Sequence, residues 1–275
     1  MKTTANAKIN LTLDITGVMD NGFHSLSTVM VPVSLCDYVS IDESDIWSFR
    51  CSDESLSGDD NLCVRAAKAY MERAGRTASL AITLEKNIPV AAGLGGGSSD
   101  CAAVIRLLDK MYGDLSSEEC FDIAASLGSD VPFCLYGGAA HCEGRGEKIT
   151  PIELGISCYI VIAIGKSRIS AAQAYKIYDS LGLTSTEYTK AFLCGHMDKN
   201  SYVSTLGNAF TPVCDSISDE PTVLRNMLLS FGAVNALLSG SGPAVYGVFF
   251  DEESAVKAAD EIGDRGYFAY FCKTL

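Results

Sequence analysis

A glycine-rich run, Gly93-Leu94-Gly95-Gly96-Gly97-Ser98-Ser99, separates a predicted strand from a predicted helix. Residues 80–85 alternate between apolar and polar side chains, which is typical of a strand, and residues 100–112 favour a helix that ends before Gly113. Glycines let the backbone approach an anion closely, and the unpaired N–H groups at a helix start point toward it. The sequence therefore predicts a phosphate-binding loop at this position.

The run matches neither of the two common phosphate-binding signatures. No lysine follows the glycines, as the G-x-x-x-x-G-K-[ST] pattern requires. The dinucleotide pattern G-x-G-x-x-G does not match either, because Ser98 occupies the position where the third glycine should follow Gly93 and Gly95. A simple tight turn is the alternative interpretation, but three successive glycines, two serines and a well-formed helix exceed what a turn needs.

The net charge and the cysteine content argue against several kinds of binding partner and metal site. The 275 residues carry a net charge of −13, which argues against nucleic acid or an anionic membrane as the main partner. The 11 cysteines are scattered singly, with no C-x-x-C pair, so we predict no structural zinc site and no metal-ligating residues. Since the sequence shows no signal peptide, free thiols in a reducing cytoplasm are the expectation.

Two short stretches near the start carry candidate functional residues. Residues 7–15 alternate strictly, which predicts a half-buried strand with Lys8 and Asn10 on the same face. Lys8 is then either a solvated cation or a functional one. Phe23 and His24 follow a predicted turn and are either core residues or a stacking ring beside a hydrogen-bonding imidazole, a pair that suits a flat heterocycle.

Asp130 lies at a predicted corner of the chain. The preceding helix is expected to end at Gly128, and Pro132 is expected to push Val131 out of the helical region, so that the chain turns here. The carboxylate is then either a turn-stabilising group or a general base or metal-facing residue.

The second half of the chain has the pattern of a small α+β sandwich. Beyond a boundary near residues 150–157, strands and helices are predicted in the order β-α-α-β-α-β, beginning with the apolar run 159–164. A second glycine loop, Ser239-Gly240-Ser241-Gly242-Pro243, precedes the predicted strand 244–250.

Four motifs, in this order, resemble the galactokinase, homoserine kinase, mevalonate kinase and phosphomevalonate kinase (GHMP) superfamily. They are residues 7–11, 89–99, 128–132 and 238–243. The resemblance extends over nearly the whole chain. It implies an α+β fold of two domains, an N-terminal ATP-binding domain over residues 1–153 and a C-terminal ferredoxin-like α/β sandwich over residues 154–275, with the active site in the cleft between them.

The resemblance also implies a reaction. Residues 22–24, 35–38, 93–99 and 139–147 are most similar to the branch of the superfamily that transfers the γ-phosphate of ATP to the 2-hydroxyl of a methylerythritol joined to cytidine diphosphate. Asp130 would accept the hydroxyl proton, and Lys8 would be its electrostatic partner. Magnesium is expected with ATP, because phosphoryl transfer needs its charge neutralised.

The resemblance assigns the remaining site residues to the two substrates. Phe23 and Tyr175 would stack on the two sides of the cytosine, His24 would hydrogen-bond to its edge, and Asn10 would contact the same small-molecule substrate. The residues implied to hold ATP are Asn61, Lys86, Pro89, Val90, Ala91, Ala92, Gly93, Leu94, Gly95, Gly96, Gly97, Ser98, Ser99 and Asp100.

Three other functions compete with this interpretation. A homoserine or mevalonate type of GHMP kinase would have no base to stack on Phe23 and His24. A nucleotide-binding regulator without catalysis would be expected to lack Lys8 or Asp130, and both are present. A dinucleotide-binding protein would need the G-x-G-x-x-G pattern and parallel strands, whereas this sequence lacks the pattern and its predicted strands are antiparallel. The expected oligomeric state is a monomer or a homodimer, between which the sequence does not decide.

Overall fold

The structure is a computed structural model that describes residues 1–184, 186–195 and 199–275, apart from the side chains of residues 200 and 201. Its strands are β1 (Lys2–Val18), β2 (His24–Ser44), β3 (Ser48–Cys51), β4 (Ser79–Glu85), β5 (Ala140–Gly144), β6 (Lys148–Pro151), β7 (Tyr159–Ile164), β8 (Gly207–Asn208), β9 (Asn235–Leu238), β10 (Val245–Phe249) and β11 (Phe268–Lys273). Its helices are α1 (Leu62–Arg73), α2 (Gly96–Tyr112), α3 (Ser117–Leu127), α4 (Val131–Tyr136), α5 (Ala171–Ser180), α6 (Tyr188–Cys194), α7 (Lys199–Thr205), α8 (Thr211–Ile217), α9 (Glu220–Ser230) and α10 (Glu252–Gly263). The fold is α+β, as predicted.

Two long strands, β1 and β2, form the centre of the first sheet. The strand order is β3-β4-β2-β1-β8, with β5 paired to β2 and β6 paired to β5. The pairing of β2 with β4 is antiparallel, with Tyr38 opposite Glu85. The two-residue strand β8 runs parallel to β1, with Leu13 opposite Asn208.

β1 is buried on both faces where a half-buried strand was predicted. The polar residues of the predicted stretch 7–15 are each at most 4% exposed, and they are Lys8, Asn10, Thr12 and Asp14. These side chains find partners inside the protein, as buried polar groups must. The Asp14 carboxylate, for example, accepts the backbone N–H groups of Tyr188 at 3.1 Å and Thr189 at 2.7 Å. The prediction of a half-buried strand is therefore wrong for this stretch.

The second sheet has the strand order β11-β7-β10-β9, and all neighbours are antiparallel. Counted along the chain, the order is fourth, first, third, second, which is the ferredoxin-like arrangement of a β-α-β-β-α-β unit. α9 packs on β9 and β10, and α10 packs on β7 and β11. Buried side chains of β7, α9 and α10, including Val161, Leu228 and Ala258, form the core beneath it. The predicted ferredoxin-like sandwich is confirmed, whereas the predicted element order β-α-α-β-α-β is wrong because it lacks strand β9.

The chain divides into two compact units. The first contains residues 1–7, 36–90 and 95–138, and the second contains residues 8–35, 91–94 and 139–275. β1 and β2 each contribute residues to both units, and so does the glycine-rich run. The predicted domain limits of 1–153 and 154–275 stay a prediction.

Several helix ends follow the capping signals in the sequence. The Asn61 side chain accepts the N–H of Cys63 at the start of α1, and a capping box between Ser116 and Glu119 opens α3. α2 ends at Gly113, which has φ of +65°. Within the described ranges no helix has the length and apolarity needed to cross a membrane.

The short helix α4 was not predicted. Val131 is its first residue and Pro132 its second, a position that tolerates proline because first-turn N–H groups have no acceptor inside the helix. The prediction that Pro132 pushes Val131 out of the helical region is therefore wrong. Asp130 takes the N-cap position with a helical backbone and makes no capping hydrogen bond with its side chain.

Candidate active site

The start of α2 leaves backbone donors unpaired. Gly95 occupies the N-cap position with φ of +68°, and no side chain caps the helix. The N–H of Ser99 donates to the Gly95 carbonyl at 2.8 Å. The N–H groups of Gly96, Gly97 and Ser98 therefore have no acceptor within the helix. These residues form the first helical turn, so the predicted helix start at Asp100 is wrong. Their N–H donors and the positive end of the helix dipole suit a phosphate.

The two glycines of this turn serve different purposes. A Cβ on Gly96 would lie 3.0 Å from Ile88 Cγ2 and 3.3 Å from Lys86 Nζ, so Gly96 allows close packing beneath the helix. A Cβ on Gly97 would have Leu62 Cδ1, at 3.6 Å, as its nearest neighbour, and Gly97 is exposed. Gly97 thus leaves space through which an anion can approach the backbone.

A buried cluster of three charges lies beneath the start of α2. Lys86 Nζ donates to Asp37 and, at 2.8 Å, to Asp100, and these side chains are 8%, 0% and 4% exposed. Asp37 Oδ1 also accepts the N–H groups of Asn87 at 2.5 Å and Ile88 at 2.8 Å. Asp37 therefore fixes both the lysine and the backbone that leads into the glycine-rich run.

Burial sets the protonation behaviour of this cluster. Burial raises the pKa of Asp100 to about 7, against the opposing influence of Lys86 and with a further contribution from Asp37. The Oδ1 atom of Asp100 is buried without a hydrogen-bond partner. Burial alone would lower the pKa of Lys86, but Asp100 and Asp37 outweigh it and raise that pKa above its usual value. Lys86 therefore stays a cation, whereas Asp100 exchanges a proton near neutral pH.

The Asn61 side-chain amide hydrogen-bonds to two backbone groups of the protein. Its Oδ1 accepts the N–H of Cys63 at 2.8 Å, and its Nδ2 donates to the Leu56 carbonyl at 2.9 Å. The side chain thus ties the start of α1 to the preceding turn. Its contact with the nucleotide stays a prediction.

Residues 91–94 pack against the second glycine loop, residues 239–243. Ser239 Oγ donates to the Gly93 carbonyl at 3.0 Å, and the N–H of Ala244 donates to the Ala92 carbonyl at 3.1 Å. Gly93 has φ of +81°, and a Cβ there would lie 2.3 Å from the Ser239 carbonyl oxygen. Only glycine fits this position.

Ala91 holds a strained backbone conformation beside this contact. Its φ is +54°, and it is the one non-glycine with positive φ among the residues that the structure describes. Such strain persists where neighbouring contacts enforce it, and it concentrates at functional sites. Ala91 is exposed ahead of residues 92–94, and its contact with ATP stays a prediction.

Lys8 is buried and oriented by Asn10. Lys8 is 4% exposed, and its Nζ donates to Asn10 Oδ1 at 2.8 Å. Its backbone N–H donates to the Leu94 carbonyl at 2.9 Å. Asn10 Nδ2 in turn donates to Thr28 Oγ1 at 2.8 Å. The solvated interpretation of Lys8 is therefore wrong, whereas a contact of Asn10 with the substrate stays a prediction.

The predicted base-binding residues include a stacked pair. The rings of His24 and Tyr175 are stacked, with centroids 4.7 Å apart and planes inclined by 24°. His24 Nε2 lies 2.7 Å from Asp179 Oδ1. Phe23 is 55% exposed, and the Arg145 guanidinium lies 5.4 Å from its ring centroid. The imidazole thus covers a face of Tyr175, while the ring of Phe23 remains accessible.

The structure gathers the predicted site residues into three groups. Lys86 and Asp100 lie with the start of α2, Lys8 and Asn10 lie with residues 91–94, and His24 lies with Tyr175. Lys8 and Asp130 belong to different compact units, and their pairing stays a prediction.

Sequence reasoning missed two partners of these groups. Asp179 follows Tyr175 by four residues, a spacing that puts both on one face of a helix and could have indicated it. Asp37 lies in a strand far from the glycine-rich run, and no local signal links the two.

The chain is similar to a family of known kinases. Residues 61–138 match the family described as GHMP kinases N terminal domain, and residues 193–267 match GHMP kinases C terminal. A 4-diphosphocytidyl-2-C-methyl-D-erythritol kinase of Caldicellulosiruptor saccharolyticus is 36% identical over 94% of this chain and 91% of its own length. A protein of the same name from Thermoanaerobacter pseudethanolicus is 34% identical, covering 100% of this chain and 96% of its own.

Solved structures share the fold. A crystal structure of 4-(cytidine 5'-diphospho)-2C-methyl-D-erythritol kinase has a TM-score of 0.86 at 29% identity, covering 100% of this chain and 99% of that one. Homoserine kinase from Cytophaga hutchinsonii has a TM-score of 0.72 at 16% identity, covering 98% of this chain and 94% of that one. At this lower identity the likeness concerns the fold alone.

Proposed function

The chain belongs to the GHMP kinases, and from this premise we propose that it transfers the γ-phosphate of ATP to the 2-hydroxyl of 4-diphosphocytidyl-2-C-methyl-D-erythritol. Membership of the family makes it an ATP-dependent small-molecule kinase. The observation that carries the choice of substrate is the name shared by relatives at 36% and 34% identity, each aligned over more than nine-tenths of both chains. The reaction is a step in making isoprenoid precursors outside the mevalonate route.

The start of α2 is the proposed site for the ATP phosphates. Its three unpaired N–H groups, the open side of Gly97 and the positive end of a 17-residue helix fit an anion. Among the described residues no cluster of three or more metal-ligating side chains occurs. Magnesium is expected to arrive with ATP, since it is usually bound by one or two carboxylates together with the substrate phosphates.

Lys8 and Asp130 are the proposed catalytic residues. The substrate oxygen forms a bond to the γ-phosphorus, its proton passes to the Asp130 carboxylate, and the bond to ADP breaks. Lys8 stabilises the negative charge of the transferring group. Support comes from the buried, hydrogen-bonded position of Lys8, because a fixed cation in a dry environment stabilises developing charge more strongly than a solvated one.

Phe23, His24 and Tyr175 are the proposed base-binding residues. Because the imidazole covers a face of Tyr175, the arrangement favours a base that stacks on Phe23 and meets His24 at its edge. In this proposal Tyr175 supports the imidazole and does not itself stack on the base, which revises the expected sandwich of Phe23 and Tyr175. Homoserine and mevalonate have no base for this group to bind.

The test is ATP consumption with magnesium on 4-diphosphocytidyl-2-C-methyl-D-erythritol, homoserine and mevalonate in parallel. We expect turnover of the cytidyl compound, and Asp130→Asn should lower kcat by about 10²-fold or more because the proton acceptor is lost. Asp122→Asn, which changes an exposed carboxylate of α3, is the matched control and should keep wild-type kcat.

Two results would contradict the proposal. Turnover of homoserine or mevalonate in place of the cytidyl compound would show a different kinase of the same family. ATP binding without turnover of any of the three would favour a nucleotide-binding regulator.

A further inference from the structure

Two buried asparagines hold Gly240 from opposite sides. Asn10 Oδ1 accepts the N–H of Gly240 at 2.9 Å, and Asn208 Nδ2 donates to the carbonyl of Gly240 at 2.9 Å. Both asparagines are 3% exposed. We propose that this asparagine clamp (Asn10, Gly240 and Asn208) fixes Lys8 for phosphoryl transfer, and that Asn208 is a positioning residue of the reaction. The catalytic part of this inference rests on the proposed function.

Asn208 is held in one orientation by its own hydrogen bonds. Its Nδ2 also donates to the Leu238 carbonyl at 2.8 Å, and its Oδ1 accepts the N–H of Phe210 at 2.8 Å. Both amide hydrogens and the carbonyl oxygen are therefore used, so a flipped amide would lose all three bonds. A buried amide with this set of partners acts as a rigid link.

The position of Asn208 in the fold connects the two sheets. Asn208 belongs to β8, which runs parallel to β1 in the first sheet, with Asn208 opposite Leu13. Leu238, to which it donates, is the last residue of β9 in the second sheet. Asn208 thus ties the second glycine loop to β8, the neighbour of the strand that carries Lys8, while Asn10 holds the loop from that strand itself.

Gly240 transmits this constraint to the catalytic lysine. Asn10 Oδ1 accepts both the Gly240 N–H and the Lys8 Nζ, so a movement of Gly240 disturbs the oxygen that orients the lysine. A Cβ on Gly240 would lie 3.4 Å from Lys8 Nζ and 3.2 Å from the Gly93 carbonyl oxygen. A side chain at position 240 would thus meet both the lysine and Gly93.

The kinetic test compares Asn208→Ala with Asn235→Ala. Asn235 is a matched control, because it lies on β9, is partly buried and donates its Nδ2 to the Val203 carbonyl at 3.0 Å, but makes no contact with the loop 239–243 among its hydrogen bonds. We expect Asn208→Ala to lower kcat by about 10²-fold with little change in the KM for ATP, since a misplaced catalytic group affects the chemical step. Asn235→Ala should keep kcat near the wild-type value.

Equal losses of kcat in the two variants, or a wild-type kcat in Asn208→Ala, would overturn the positioning role. Melting temperatures of both variants show whether a loss of kcat reflects unfolding. If Asn208→Ala does not fold, Thr28→Val perturbs the clamp from its other end, because it removes the Oγ1 acceptor of Asn10 Nδ2 and keeps the shape of the side chain. The same fall in kcat is then expected.

Amide hydrogen exchange separates this inference from the proposed function. In Asn208→Ala the Gly240 amide and its neighbours in residues 239–243 should exchange faster than in wild type, and in Asn235→Ala they should not. Unchanged exchange in Asn208→Ala would refute the clamp. If wild type turned over none of the three compounds, the proposed function and the catalytic role would both fail, and exchange would still decide whether the clamp holds the loop.

Discussion

Lys86 lies between two buried carboxylates, so Lys86→Met tests the electrostatics beneath the start of α2. The substitution keeps an unbranched side chain one atom shorter than lysine but leaves Asp37 and Asp100 without their cation. Breaking a buried ion pair from one side costs about 3–5 kcal/mol. At roughly 2–4 °C for each kcal/mol in a chain of this size, the melting temperature should fall by roughly 6–20 °C.

The loss should depend on pH, because Asp100 can take up a proton. In wild type the pKa of Asp100 is raised to about 7, so its contribution to stability is fully present below the unfolded-state pKa and is lost as pH rises toward 7. Removing Lys86 takes away the main influence that lowers this pKa, so Asp100 stays protonated to higher pH in the variant. The free-energy gap to wild type therefore widens above neutral pH, by up to about 1.4 kcal/mol per pH unit.

The assay is thermal unfolding of wild type and variant on either side of the Asp100 pKa, at about pH 6 and about pH 9. Adding Asp100→Asn to Lys86→Met should restore part of the loss, since a neutral amide needs no cation. Lys190→Met is the control, because the pair of Lys190 with Glu187 is 70% and 75% exposed and such a pair contributes less than about 1 kcal/mol. An equal loss at both pH values, or no recovery in the double variant, would refute the reasoning.

Other predictions concern the base-binding group and the glycine-rich run. Asp179→Ala removes the carboxylate 2.7 Å from His24 Nε2, and it should raise the KM for the cytidyl substrate but not for ATP, which steady-state kinetics can measure. Gly93→Ala places a methyl group 2.3 Å from the Ser239 carbonyl oxygen on a backbone with φ of +81°, so the melting temperature should fall, with about 1–3 kcal/mol from the backbone alone. Gly97→Ala meets no atom closer than 3.6 Å and should keep the melting temperature while raising the KM for ATP. An unchanged KM for ATP in Gly97→Ala would argue against phosphate binding at this turn.

Local sequence signals predicted the phosphate-binding segment, but they misplaced the start of its helix. Gly113 ends its helix as predicted, and Asn61 caps the start of α1, because caps depend on neighbouring residues alone. The start of α2 was placed one turn late, since glycine has a low helix propensity and reads as loop. In the structure, packing against Ile88 and Lys86 favours a glycine at position 96 of the helix.

The burial of β1 could not be read from its alternating pattern. Alternation of apolar and polar residues looks the same for a solvated face and for a face whose polar groups find partners inside the protein. For Asp14 those partners are the N–H groups of Tyr188 and Thr189, more than 170 residues further along the chain. Only the tertiary fold brings them together, so the prediction for Lys8 had to leave two alternatives open.

Asn208 illustrates a kind of functional residue that linear motifs miss. It lies 32 residues before Gly240, outside all four motifs of the resemblance, on a strand of two residues that is too short to show any periodicity. Motifs locate the groups that meet a ligand, because the ligand imposes their spacing. The groups that hold them are found by following each buried polar atom to its partner. By this criterion Asp37 and Asn208 have the same role, since each fixes the backbone of a glycine segment from a distant strand. Asp37 holds the backbone just ahead of the glycine-rich run, and Asn208 holds Gly240.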